Sequence, residues 1–196
     1  SEDEIAIGII GRLVPIKNHR LFLKSIEQLK QKTNKKIRAF VIGDGECMQE
    51  LQNYCKEINL PFNSPEEGNN SVLKFTSWIK EVDIANAGLD IIALTSDNEG
   101  TPVSLIEAQA SSKPVISTRV GGIGNIVVEG KTALLSDKGD VDNFTLNLLQ
   151  LVENEELRES FGAGGWAVVE SRFHYTRLVN DTKILYKHLL KLTDSH

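Results

Sequence analysis

Glu99 and Glu107 bracket a stretch that can bind an anion, and that stretch sets the first expectation about chemistry. Between them run Gly100, Thr101, Pro102, Val103, Ser104, Leu105 and Ile106. Thr101 is a good N-cap, and Pro102 suits the first helical position. Val103, Leu105, Ile106, Ala108 and Ala110 then read as a helix packed on a sheet. Glu99 would sit in the preceding loop, with Glu107 about two turns inside the helix. Proline lacks an N–H, so the free donors of the first turn would come from Thr101, Val103 and Ser104. Those donors and the helix dipole favour an anion, and phosphate is the usual one. A carboxylate cannot also be the ligand there. Glu99 and Glu107 would therefore meet hydroxyls beside the phosphate. Phosphate next to hydroxyl-rich groups suggests a nucleotide sugar.

Short apolar runs stand on both sides of this helix. Residues 90–94 and 115–117 have strand length and strand composition. The polar loop carrying Glu99 would then lie at a strand's carboxyl end, where open parallel sheets bind ligands. Residues 5–10 form a near-continuous apolar strand. Gly11 ends it, and Arg12 follows at its carboxyl end. Lys17 opens the next helix, where a cation is unfavourable unless an anion is bound nearby. Further strands are expected at 37–42, 72–76 and 133–135, with helices at about 46–58, 81–87, 141–152, 155–172 and 176–192. Residues 59–71 read as a surface loop without structure of its own. Gly162, Gly164 and Gly165 weaken the helix that contains them and mark either a break or close packing. The last helix carries Leu178, Leu185, Leu189 and Leu192 on one stripe and is expected to pack on the sheet. Alternating strands and helices give an α/β class: a doubly wound, parallel, six-stranded, Rossmann-like sheet flanked by helices.

Composition narrows the partners. The 196 residues carry a net charge of −5, which argues against nucleic acid. No apolar run approaches the ~20 residues of a membrane helix. The start, Ser1 to Glu4, is acidic and unlike a signal peptide, and it lacks an initiator Met; the chain is expected to be part of something longer. Cys47 and Cys55 are spaced too far apart on one helix for a disulfide, which suits a reducing, cytoplasmic setting. His19, His174, His188 and His196 show no ligand spacing, and no Asp-x-Asp pair ends a strand, so neither a metal nor a cofactor is expected.

The motifs resemble the donor-binding domain of family 4 retaining glycosyltransferases, the C-terminal half of a GT-B enzyme. The resemblance rests on Glu99-Gly100 with Glu107, on Lys113 through Gly122, on Gly11-Arg12-Leu13-Val14 with Lys17, on residues 41–45, and on residues 75–78. Glu-x7-Glu alone recurs by chance; four motifs in order over nearly the whole chain, with residues 99–122 counted as one, are specific. The resemblance implies that Arg12 and Lys17 clamp the donor diphosphate and stabilise the departing nucleotide. It implies that Glu107 binds the ribose hydroxyls and that Glu99 touches the transferred sugar, as nucleophile or as positioning group. Gly11, Gly100, Thr101, Val103 and Ser104 would line the sugar-phosphate site, and Trp78 and Ile79 the nucleobase pocket. A lone Trp after a strand also fits a core position. The implied reaction is metal-independent, retaining transfer of a hexose from a nucleotide diphosphate sugar, with UDP favoured, to a glycan or lipid-linked acceptor. Residues 1–196 would be the donor domain, inactive by itself. An acceptor domain would precede Ser1, and any peripheral membrane contact would run through it. A nucleotide-sugar epimerase of the same fold and a non-catalytic nucleotide-binding module are the alternatives. Two positions depart from the family's pattern: Asn125 stands where an acidic residue is common, and Ser77 where Gly is common.

Overall fold

Successive residues of each central strand must face opposite sides of a sheet, and here both sides are apolar. The computed structural model describes residues 4–68 and 71–193. Residues 1–3 of the acidic start, residues 69 and 70 of the 59–71 connection, and residues 194–196, His196 among them, lie outside the described residues. Among the described residues, seven strands form one parallel sheet: β1 (Glu4–Ile10), β2 (Lys36–Ile42), β3 (Phe62–Asn63), β4 (Leu73–Ser77), β5 (Ile91–Leu94), β6 (Val115–Thr118) and β7 (Ala133–Ser136). Their order is β3-β4-β2-β1-β5-β6-β7. In register, Ile7 stands beside Ala39 and Ile91, and Ile9 beside Val41 and Ala93. These residues join one core, whereas Ile42, Ile92, Leu94 and Val115 join another on the opposite face.

The helices divide accordingly. They are α1 (His19–Lys32), α2 (Met48–Glu57), α3 (Val82–Ala87), α4 (Val103–Ala110), α5 (Ile123–Ile126), α6 (Val141–Glu153), α7 (Glu155–Phe173) and α8 (Tyr175–Thr193). Phe22, Leu51 and Phe144 bring α1, α2 and α6 onto the first face. Leu105, Ala108, Ile123 and Ile126 bring α4 and α5 onto the second. The strand order reverses between β1 and β5, so the loops after these neighbours diverge and leave a crevice at their carboxyl ends.

The doubly wound reading holds, with three corrections. A seventh strand appears, because Phe62 and Asn63 pair with Leu73 and Lys74 inside the connection expected to be unstructured. Phe62 meets the ring of the fully buried Phe75 edge-on, 5.7 Å between centroids, and that contact holds the short strand on the sheet. The last helix does not pack on the sheet. Both faces are already covered, and α8 meets α7 instead, with Leu178 70% and Ile184 66% exposed. Helix α4 begins one residue late. Pro102 is buried with φ −72° and ψ 101°, an extended conformation, so the first helical residue is Val103 and Thr101 makes no capping bond. No helix among the described residues is long and apolar enough to cross a membrane.

Helix α7 runs unbroken through its three glycines, which resolves their role as close packing. A Cβ on Gly162 would lie 2.2 Å from the carbonyl oxygen of Ser112, in the turn after α4. In an exposed helix, Gly→Ala gains about 1 kcal/mol. Overpacking costs about 1–3 kcal/mol, and a 2.2 Å approach to backbone lies at the upper end of that range, above the propensity gain. Gly162→Ala is therefore expected to destabilise the chain in urea unfolding. A gain of stability would show that the α4–α7 contact has slack.

Candidate functional site

Gly11, Arg12 and Lys17 follow β1, and Thr95 to Pro102 follow β5, so the switch point brings the two loops together. The β1 loop is held from one side by the β2 loop: Gly11 N–H donates to Ile42 O at 3.0 Å, Leu13 N–H to Asp44 O at 2.9 Å and Cys47 N–H to Leu13 O at 3.0 Å. Arg12 therefore projects from a fixed backbone. It is exposed, with no ion-pair partner among the described residues. On the other side Asp97 N–H donates to Ile16 O at 2.8 Å. The buried Thr95 hydroxyl lies 3.0 Å from both Lys17 O and Asn18 O, and Asn18 Nδ2 donates to Asp97 Oδ1 at 3.1 Å.

Lys17 does not open α1. It ends a 3-10 turn, Pro15–Lys17, and Asn18 at φ 45° caps α1 by accepting from Leu21 N–H. That turn aims the ammonium across the crevice. Lys17 Nζ reaches Glu99 Oε1 at 2.5 Å, with the carboxylate side chain only 10% exposed. The same Oε1 accepts from the fully buried Ser96 hydroxyl at 2.6 Å. Thr118, at the end of β6, donates its hydroxyl to Ser96 O at 2.6 Å.

The loop after β6 closes on the Glu99 loop from above. Gly122 N–H donates to Glu99 O at 2.8 Å. A Cβ there would stand 1.8 Å from Gly100 O, so the approach requires glycine. Beyond Gly100, the N–H groups of Val103 and Ser104 have no backbone acceptor among the described residues, while Leu105 N–H returns to Pro102 O at 3.1 Å. Free donors thus stand at the start of α4 as expected, but Thr101 lies outside the helix. Glu107 is exposed on α4 and has no ion-pair partner among the described residues.

Trp78 follows β4 at the same end of the sheet and is 64% exposed, which rules out a core role. Ile79 beside it is half-buried against the second core. Ser77 occupies φ 61°, a left-handed conformation that glycine adopts without strain. This is the physical reason for glycine at that position in the family's pattern. Asn125 is exposed on α5, and its carbonyl accepts from Arg172 at 3.3 Å. Among the described residues no cluster of three or more metal-ligating side chains occurs.

Of the residues expected at the site, Arg12 and Lys17 follow β1, Trp78 follows β4, Glu99 and Gly100 follow β5, Val103 and Ser104 open α4, and Glu107 lies in the interior of that helix. The sequence reading missed Thr95, Ser96, Asp97, Asn18 and Thr118, which stitch the loops together. Their one visible signal was polar residues directly after apolar runs. Buried polar groups need partners.

The family known as "Glycosyl transferases group 1" matches residues 1–166 of this chain. The chain belongs to the group 1 glycosyltransferases. An uncharacterised glycosyltransferase of Methanocaldococcus jannaschii is 29% identical over 190 residues, covering 96% of this chain and 50% of that protein. A capsular polysaccharide biosynthesis glycosyltransferase of Staphylococcus aureus is 28% identical over 189 residues, covering 96% of this chain and 47% of that one. This glycosyltransferase chain thus spans about half the length of the curated relatives it matches. Among solved structures, an Anabaena protein in complex with UDP superposes with a TM-score of 0.83 at 19% identity, over 95% of this chain and 49% of that one. It shares the fold. The resemblance drawn from the motifs therefore holds for family and architecture.

Beneath the Lys17 turn, His19 is 3% exposed, and burial followed by the Lys17 charge lowers its pKa to about 4. The unfolded imidazole takes up a proton near pH 6.5. The folded one resists until about pH 4. Stability linked to His19 is whole above pH 6.5 and is lost as pH falls toward 4, by an amount on the order of 3 kcal/mol. Unfolding free energies at pH 7 and pH 4 should diverge less for His19→Gln than for wild type. Equal slopes would refute a buried neutral imidazole.

Proposed function

We propose that this chain binds the donor of a retaining, metal-independent hexosyl transfer. The donor is a nucleotide diphosphate sugar, with UDP favoured. The acceptor is a glycan or lipid-linked sugar, held by a second, N-terminal domain of the longer protein. One observation carries the reading: at the switch point the Lys17–Glu99 pair joins the loop that carries exposed Arg12 to the loop that leads into the free N–H groups of α4. Cation, carboxylate and helix start are what a sugar joined to a diphosphate requires at its junction.

In this reading Arg12, Lys17 and the Val103 and Ser104 N–H groups meet the diphosphate. Negative charge grows on the leaving phosphate as the bond from the sugar's C1 to oxygen breaks, and fixed cations and dipoles lower that barrier. The departing phosphate oxygen takes the acceptor's proton, and the new bond forms on the face just vacated. Glu107 accepts from both ribose hydroxyls, Trp78 and Ile79 meet the base, and Gly11 and Gly100 allow close approach. Glu99 accepts from hydroxyls of the hexose. Lys17 must then turn from Glu99 to phosphate, or serve both. UDP in the Anabaena structure, which shares the fold, is consistent with this choice of base.

Calorimetry with uridine, UDP, GDP and ADP tests these roles. Arg12→Ala and Lys17→Ala should weaken UDP by about 1–3 kcal/mol and leave uridine unchanged. Glu107→Gln should weaken uridine and UDP alike. Glu99→Gln releases Lys17 from a partly buried ion pair and should tighten UDP by about two- to fivefold. Loss of UDP binding in Glu99→Gln would reverse the assignment of the two carboxylates.

Metal independence has its own measurement. Transfer by the longer protein should persist in excess chelator, because Arg12 and Lys17 supply the positive charge. Complete loss, restored by magnesium or manganese, would overturn that part of the mechanism.

A further inference from the structure

Glu99 has two oxygens, and the protein treats them unequally. Oε1 receives both Lys17 Nζ at 2.5 Å and the Ser96 hydroxyl at 2.6 Å. Among the described residues no hydrogen bond reaches Oε2. Two donors occupy the lone pairs of Oε1. Ser96 is itself fully buried, at the carboxyl end of β5, and cannot wander. Thr118 fixes its carbonyl from β6. Rigid sheet thus connects through one hydroxyl to a side chain in a surface loop.

We propose that Ser96 is a positioning residue for Glu99: with Lys17 it holds Oε1, and so commits Oε2 to the transferred sugar. The part concerning sugar rests on the function proposed above. The division of labour between the two donors follows from their chemistry. Lys17 is a flexible cation that a diphosphate competes for. Ser96 is a short, neutral, buried donor that no ligand can withdraw. When Lys17 turns to phosphate, Ser96 keeps the carboxylate in place. The hydroxyl proton stays on Ser96 throughout, and no bond is made or broken.

Ser96→Ala removes the hydroxyl yet keeps the backbone carbonyl that Thr118 holds, so it isolates the contact. Three-bond couplings to Glu99 Cγ report its χ1 rotamer in the ligand-free chain. Wild type and Ser96→Thr should show one rotamer, and Ser96→Ala an average. An averaged wild type, or a Ser96→Ala variant as fixed as wild type, overturns the proposal. Titrations with UDP and UDP-glucose supply the second readout. Ser96→Ala should bind UDP within about twofold of wild type and UDP-glucose about five- to tenfold more weakly, within the net worth of one typical intramolecular hydrogen bond. Equal weakening of both ligands would show a merely structural role and also overturn it. Wild type that binds neither ligand would sink the transferase reading, while the couplings still decide the role of Ser96.

Discussion

The contact between Lys17 and Glu99 across the strand-order switch is the constraint on which the rest depends. It joins two loops from strands that are neighbours in the sheet but far apart in the chain. A bare cation cluster or a bare carboxylate in this crevice would repel part of any donor. Paired, the two charges offset each other, and under the proposed function a ligand bearing both phosphate and hydroxyls would divide them. The surrounding stitches from Thr95, Asn18, Asp97 and Thr118 are neutral or singly charged hydrogen bonds to backbone and side chain. They fix the loops whether or not the pair is intact. The order needed for chemistry therefore comes from the sheet, and the charges are free to change partners.

Much of this was legible because it is local. Period-two and period-3.6 patterns located nearly every strand and helix to within a few residues, since each is written in its own segment. The site loops could be read because polar residues follow apolar strands in parallel sheets. What stayed hidden was settled by tertiary contact. The start of α4 depends on Pro102 being buried, which outweighs the capping preference of Thr101. Strand β3 has two residues and no periodicity; its pairing with Leu73 and Lys74 and the ring of Phe75 against Phe62 are tertiary contacts that no local pattern announces. The Leu stripe of α8 looked like a core face, but both faces of the sheet were already taken.

Small residues carry a second layer of information that composition conceals. Gly122 allows one loop to rest on the backbone of another, and Gly162 does the same between a helix and a turn. Neither position announces its partner, since a glycine records only that something comes close. Ser77 is the converse: a side chain kept at φ 61° beside Trp78, where the backbone would be more at ease without one. Why serine stands there is not explained by any contact that its hydroxyl makes in the structure.

The two-residue strand β3 lies at the outer edge of the sheet, with β4 and β2 between it and β1. Its connection can gain or lose residues at a rim without touching the other strands. The loops at the switch point have no such freedom, because each is braced by two others. Variation among descendants of such a chain would accumulate at that rim, as new surface, while the crevice drifts little. The same sheet can thus acquire new neighbours without renegotiating its chemistry.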